Sequence, residues 1–127
     1  MTNEFTLRGV MLPVENLDTA LHFYRDTLGW TLRFRDGDRY ASLDAGGTTI
    51  ALAAPVEQPV KGQPALLVKV RDVSRAVVAL SDAGVDIMLD PVNGPHEVRA
   101  AIQDTAGNII SLYTPLEAAA VSGGLDV

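Results

Sequence analysis

The sequence predicts an α+β fold in which one strand–helix–three-strand unit occurs twice in tandem. Three observations carry this. First, Val14-Glu15-Asn16-Leu17-Asp18-Thr19-Ala20 resembles Val70-Arg71-Asp72-Val73-Ser74-Arg75-Ala76, 56 residues later. Second, each copy follows an apolar strand candidate and opens a run of apolar residues at helical spacing. Third, Ala41-Ser42-Leu43-Asp44 matches Ala101-Ile102-Gln103-Asp104, and Gly47-Thr48-Thr49-Ile50-Ala51-Leu52 matches Gly107-Asn108-Ile109-Ile110-Ser111-Leu112, each pair 60 residues apart. Two copies make a duplicated fold and not a solenoid, which needs at least three.

The first module spans about residues 5–53. Leu7 to Val14 is an apolar strand. Asn16 is placed to cap a helix, because its side-chain oxygen can accept from backbone N–H groups of the first turn. Leu17, Ala20, Leu21, Tyr24 and Leu28 then form one apolar stripe, and Gly29 stops it. Trp30 to Arg35 is rich in strand formers, Asp36-Gly37-Asp38 is a hairpin signal, and Tyr40 to Asp44 is the return strand. Ala45-Gly46-Gly47 turns the chain into Thr48 to Ala53. Residues 54–64 carry Pro55, Pro59, Gly62 and Pro64, the composition of a linker.

The second module spans about residues 65–115. Leu66 to Val70 is its first strand. Asp72 caps a helix whose stripe is Val73, Ala76, Val77 and Leu80, with Gly84 at its end. Val85 to Leu89 is a strand, Asp90 to Pro95 a long loop, and Val98 to Gln103 and Asn108 to Tyr113 the last two strands. The tail, residues 116–127, holds Ala118-Ala119-Ala120 and then Ser122-Gly123-Gly124, which reads as a short helix and a frayed end.

Strand alternation sorts the faces. Val10, Leu12 and Val14 should pack under the first helix, with Ile50 and Leu52. Gly9, Met11, Pro13, Thr49 and Ala51 then face the other way. In the second module Leu66, Val68, Val70, Ile110 and Leu112 face the helix, and Leu67, Lys69, Ile109, Ser111 and Tyr113 oppose it.

Composition excludes several kinds of chemistry. The chain has 127 residues, 47% hydrophobic and 20% charged, which suits a single folded domain. It has no cysteine and 2 histidines, which removes disulfides, thiolate sites, a cysteine nucleophile and a histidine-rich metal site within one chain. The net charge of −6 makes nucleic acid a poor partner, since phosphates are repelled. No apolar run is long enough to span a membrane. Met1 to Phe5 shows neither a basic region nor an apolar signal core, so the expected location is cytoplasmic. Gly46-Gly47 and Gly123-Gly124 lack the spacing of a phosphate loop, and no Gly-x-Ser-x-Gly elbow occurs.

The helix run His22-Phe23-Tyr24-Arg25-Asp26-Thr27-Leu28-Gly29-Trp30 and the closing run Asp104-Thr105-Ala106-Gly107-Asn108-Ile109-Ile110-Ser111-Leu112-Tyr113 resemble the vicinal oxygen chelate superfamily. That group includes glyoxalase I, bleomycin-resistance proteins, fosfomycin-resistance enzymes and extradiol dioxygenases. The resemblance covers about Leu7 to Tyr113. It implies two tandem βαβββ modules forming a cupped mixed sheet, with ligands inside the cup. It also implies a homodimer, often with modules exchanged or shared between subunits. Metal-dependent members hold a divalent ion with His and Glu from the first and last strands of each module. In this chain those positions fall on Gly9, Ala51, Ala65 and Ser111. Three have no side-chain donor, and a serine hydroxyl is a poor ligand without carboxylates. Neither a metal nor another cofactor is therefore expected, and Gly and Ala there should leave a roomy apolar cup.

Met11, Trp30, Phe34, Tyr40, Ser111 and Tyr113 are the candidate ligand-binding walls, because aromatic faces suit planar or cationic molecules. Trp30 and Phe34 fit a core or a dimer seam equally well. Lys69, mid-strand between Val68 and Val70, either lines a wet cavity or meets an acidic partner. Arg99 could grip a carboxylate or phenolate, or form an ordinary salt bridge. His96 follows Gly94-Pro95 at the expected rim and is either a ligand contact or a surface loop residue. His22, flanked by Asp18 and Asp26 at helical spacing, reads as solvated helix surface, and Arg33 and Arg35 as a solvated strand face. Glu57 and Glu97 could act as bases but have no identifiable partner in the sequence.

The resulting expectation is a metal-free, non-catalytic protein that sequesters a small organic molecule, cationic or aromatic and antibiotic-like, in the manner of the bleomycin-resistance members. The alternative is an enzyme of glyoxalase, isomerase or dioxygenase type with a non-standard site drawn from residues such as His96 and Glu97. A third reading is a module whose cup is plugged by its own side chains.

Overall fold

The computed structural model describes residues 4–116. Both modules join one eight-stranded sheet, with strand order β2-β3-β4-β1-β5-β8-β7-β6. The strands are β1 (Thr6–Pro13), β2 (Thr31–Asp36), β3 (Tyr40–Asp44), β4 (Thr49–Ala53), β5 (Ala65–Lys69), β6 (Ile87–Asn93), β7 (Glu97–Gln103) and β8 (Ile109–Pro115). Within each module the first strand pairs parallel with the last, β1 with β4 and β5 with β8. The modules meet where β1 runs antiparallel to β5, with Gly9 opposite Leu67 and Met11 opposite Ala65. The two halves therefore pair within one chain, and no strand from a second copy is needed to complete the sheet.

The helices follow the sequence in one module and depart from it in the other. Helix α2 (Val73–Asp82) starts at Asp72, whose carboxylate accepts from the Arg75 N–H at 3.1 Å. It buries Val73, Ala76 and Val77 against Val68, Val70, Ile102 and Leu112. Helix α1 (Leu17–Leu21) starts at Asn16 as expected, accepting from the Thr19 N–H at 2.9 Å. From His22 to Thr27 it widens into a π-helix, with Leu28 N–H reaching the Phe23 carbonyl at 2.9 Å. The wider turn shifts everything beyond it around the axis. Leu17 and Leu21 remain buried, whereas Leu28, expected on the stripe, is 46% exposed.

Three other expectations are corrected. The segment Asp90-Pro91-Val92-Asn93 is strand, not loop. Strand β6 lies at the sheet edge and its register breaks between Leu89 and Val92. An edge and a bulge are where a sheet tolerates a proline. Leu66 is 40% exposed and does not pack under α2. The repeat also slips by one residue at β3 and β7. Ser42 pairs with Ala51, and Ala101 with Ser111, so Ser42 corresponds to Ala101, 59 residues on. A 60-residue match would have set cup-facing Ser42 against helix-facing Ile102. The short helix expected at Ala118 to Ala120 lies outside the described residues.

Apolar burial divides into three clusters. Two lie under the helices, one around Leu17, Leu21, Leu43 and Leu52 and the other around Val73, Val77 and Leu112. The third lines the opposite face: Met11, Ala51, Ala53, Ala65, Leu67, Ala101, Ile109 and Tyr113. That face is concave. Strands β2 and β7 are six places apart in the sheet, about 29 Å if it were flat. Yet Asp36 of β2 meets His96, next to β7, at 3.2 Å. The sheet therefore curls into the cup.

Candidate functional site

The cup holds a cavity that opens to solvent. Met11 of β1 and Leu67 of β5 form its floor with Tyr113 of β8. Alternation on those strands points all three away from the helices, as the sequence indicated. Phe34 and Asp36 of β2 and Tyr40 and Ser42 of β3 make one wall, while Glu97 and Arg99 of β7 and Ser111 of β8 face them. His96 joins the walls at the rim. Its ring meets Phe34 edge-on with centroids 5.4 Å apart, and its Nε2 lies 3.2 Å from Asp36 Oδ2.

Of the residues expected at the ligand, Met11, Phe34, Tyr40, His96, Arg99, Ser111 and Tyr113 line this cavity. Trp30 and Lys69 do not. Trp30 belongs to the cluster under α1, stacked on Tyr24 at 5.4 Å and 16°. Gly29 explains this: at φ +81° it folds the chain back after the helix, and Trp30 N–H bonds the Tyr24 carbonyl. Lys69 is the last residue of β5, half-buried between Thr6 and Tyr113 of the neighbouring strands. His22 stands on exposed helix surface, 3.2 Å from Asp26. Arg35, expected to be solvated, is partly covered and ties the hairpin to α1 through Asp18, Asp38 and the Gly37 carbonyl.

The main surprise is the linker. Residues 55–57 form a short 3₁₀ turn that places Glu57 at the cavity wall, 6% exposed, with Pro59 beside it. Arg39, from the β2–β3 hairpin, grips Glu57 Oε2 through both Nε and Nη2. Arg99 Nη1 donates to Glu57 Oε1 at 3.1 Å and to its backbone carbonyl at 2.8 Å. One buried carboxylate thus joins the two modules. Composition read the segment as linker, since prolines and glycine say nothing of what one glutamate among them will meet.

Two of the groups that line the cavity titrate away from their ordinary ranges. Burial pushes the Tyr40 phenol up, with the Glu97 charge adding to it, so Tyr40 stays a neutral donor. Burial also raises the Glu97 carboxyl; Glu57 and Asp36 reinforce this, and Arg99 and His96 oppose it. Among the described residues nothing hydrogen-bonds the Glu97 carboxylate. Arg99 Nε is buried without a partner there as well.

The positions that carry metal ligands in metal-dependent relatives do not fit an ion. Ala51 and Ala65 are 0% and 3% exposed, packed into the cup floor. A Cβ on Gly9 would stand 2.4 Å from the Thr49 carbonyl, so the backbone of β4 occupies the space a larger residue needs. Ser111 alone reaches the cavity, with a neutral hydroxyl. Among the described residues no group of three or more His, Asp or Glu side chains is arranged around a common point. Gly and Ala at these positions do not enlarge the cup, contrary to expectation. They complete its floor, and the cavity lies toward β2, β3 and β7.

Residues 6–112 match the Glyoxalase/Bleomycin resistance protein/Dioxygenase superfamily, and the chain belongs to it. An uncharacterised protein of Mycolicibacterium smegmatis is 39% identical over 115 residues, covering 91% of this chain and 98% of that one. Among solved structures, the fold is similar to methylmalonyl-CoA epimerase from Mycobacterium tuberculosis, at 25% identity, 95% of each chain and a TM-score of 0.70. It is also similar to a glyoxalase/bleomycin resistance protein/dioxygenase superfamily member from Vibrio splendidus 12B01, at 18% identity, 86% of this chain, 99% of that one and a TM-score of 0.65. No helix among the described residues is long and apolar enough to cross a membrane.

Proposed function

We propose that the protein binds a small organic molecule in the cup without transforming it. The observation that carries this is the cavity itself: apolar and aromatic walls around a few convergent polar groups, the usual make-up of a small-molecule site. The lack of donors at the family's metal positions argues against metal-assisted chemistry there and leaves recognition as the simplest use. Phe34, Tyr40 and Tyr113 suit an aromatic or antibiotic-like body. Because β1 and β5 pair within the chain, a homodimer would bring together two complete cups.

Thermal-shift and calorimetric screening of aromatic antibiotics and simple aromatic compounds tests this reading. Saturable binding with the compound recovered unchanged supports it. A flat response across the panel overturns it in favour of a plugged module.

One observation favours a second reading. Glu97 lines the cavity and the Asp36–His96 pair bridges its two walls at the rim, an arrangement able to accept and return a proton. Turnover of carbonyl or catechol substrates, abolished by Glu97→Gln, would establish the enzyme instead.

A further inference from the structure

Three carboxylates line the cavity, and one of them has no hydrogen-bonding or ion-pair partner among the described residues. Asp36, Glu57 and Glu97 line it, against a single lining guanidinium, Arg99. Glu57 is satisfied twice, by Arg39 and Arg99. Asp36 is satisfied by His96. Glu97 has no such partner among the described residues, and its backbone is held where the Gly94 N–H bonds the Glu97 carbonyl at 2.7 Å. An unpaired carboxylate at a cavity wall is a receptor for positive charge. Close by, Arg99 Nε is a buried donor whose guanidinium already spends its charge on Glu57. It is suited to a neutral acceptor on the ligand and not to a second carboxylate.

Resting on the binding reading above, we propose that the cup takes an organic monocation, an ammonium group on an aromatic body, with Glu97 receiving the charge. The ring lies against Phe34, Tyr40 and Met11, and an acceptor atom of the ligand, where present, meets Arg99 Nε. Inorganic cations are disfavoured because a single carboxylate offers too few donors.

Glu97 is faced by Asp36 from β2, Tyr40 from β3, Glu57 from the linker and its neighbours His96 and Arg99. The net effect raises its carboxyl, and the cation binds the ionised form. Affinity is therefore full above the Glu97 titration and falls as pH drops through it.

The test is calorimetry on the full chain with three near-isosteric probes: 2-phenylethylamine, 2-phenylethanol and 3-phenylpropanoate. The amine should bind about tenfold to a hundredfold tighter than the alcohol, and the acid weakest. Glu97→Gln should bring the amine down to the alcohol's affinity, with an unchanged melting temperature showing that the fold survives. Equal binding of amine and alcohol, or preference for the acid, overturns the cation assignment and leaves the binding reading standing. No binding of any probe at millimolar concentration overturns both.

Discussion

Removing the Glu57 carboxylate should loosen the whole molecule, because it ties the hairpin of one module to β7 of the other. In Glu57→Ala, Arg39 is nearly half exposed and water can replace its partner. Arg99 cannot be treated so, with only 18% of its side chain exposed. Breaking a buried pair from one side costs about 3–5 kcal/mol, most of it from the charge left behind. Arg99 keeps its 2.8 Å bond to the residue-57 carbonyl in the variant, so the low end applies, about 3 kcal/mol. Urea unfolding followed by circular dichroism measures it. With a slope of about 1–3 kcal/mol per molar, the midpoint should fall by about 1–3 M. In an Arg99→Met background the same change should cost far less, since the stranded charge is gone. A loss under about 1 kcal/mol, or equal losses in both backgrounds, would refute the role given to this carboxylate.

Other expectations follow from single contacts. Gly9→Ala should destabilise by about 1–3 kcal/mol, since β4 must move to clear a Cβ now 2.4 Å from the Thr49 carbonyl; an unchanged melting curve would show that the strands separate freely. Trp30 emission should barely change when a ligand enters the cup, because the indole stacks on Tyr24 under α1; saturable quenching would place the ligand elsewhere. Asp104 accepts from the Asn108 side chain and from the N–H groups of Asn108 and Ala106, which holds its carboxyl below the ordinary range. Its folded pKa is depressed, so its contribution is present above the unfolded value near 3.8 and lost as pH falls through the folded one. The stability gap between the wild type and Asp104→Ala should therefore be constant at neutral pH and shrink under acid. A gap independent of pH would count against it.

Much of this molecule is written in local patterns. Asn16 and Asp72 announce their helices, alternation on β1, β5 and β8 sends Met11, Leu67 and Tyr113 into the cup, and the repeat gives the duplicated unit. The departures come where a long-range contact decides. Nothing in His22 to Thr27 signals a π-turn, yet that turn moves Leu28 into solvent. Pro91 looked like a loop because its tolerance depends on β6 being an edge strand. Glu57 reads as one acid in a proline-rich linker until Arg39 and Arg99 arrive from positions 18 and 42 residues away in the chain. Trp30 is aromatic beside a strand, which fits a pocket wall, but Gly29 turns it the other way.

The register of the repeat shows how a duplicated fold comes to have an asymmetric site. In the observed register Tyr40 corresponds to Arg99, since Ser42 corresponds to Ala101 and each lies two residues further along its strand. Met11 corresponds to Leu67 across the β1–β5 seam in the same way. The floor is thus apolar on both sides, whereas the walls differ: one module presents a phenol and the other a guanidinium. At the next strand Asp36 pairs with Tyr40 and Val92 with Arg99, so the module that lacks the arginine supplies a carboxylate where the other has valine. Asp36 can then reach across to His96, and Arg99 can reach across to Glu57. The first contact crosses between the halves and the second reaches the linker, so the duplication repeats neither. The fold provides two equivalent sets of wall positions around one cavity, and substitution at them has given its two sides different polar groups.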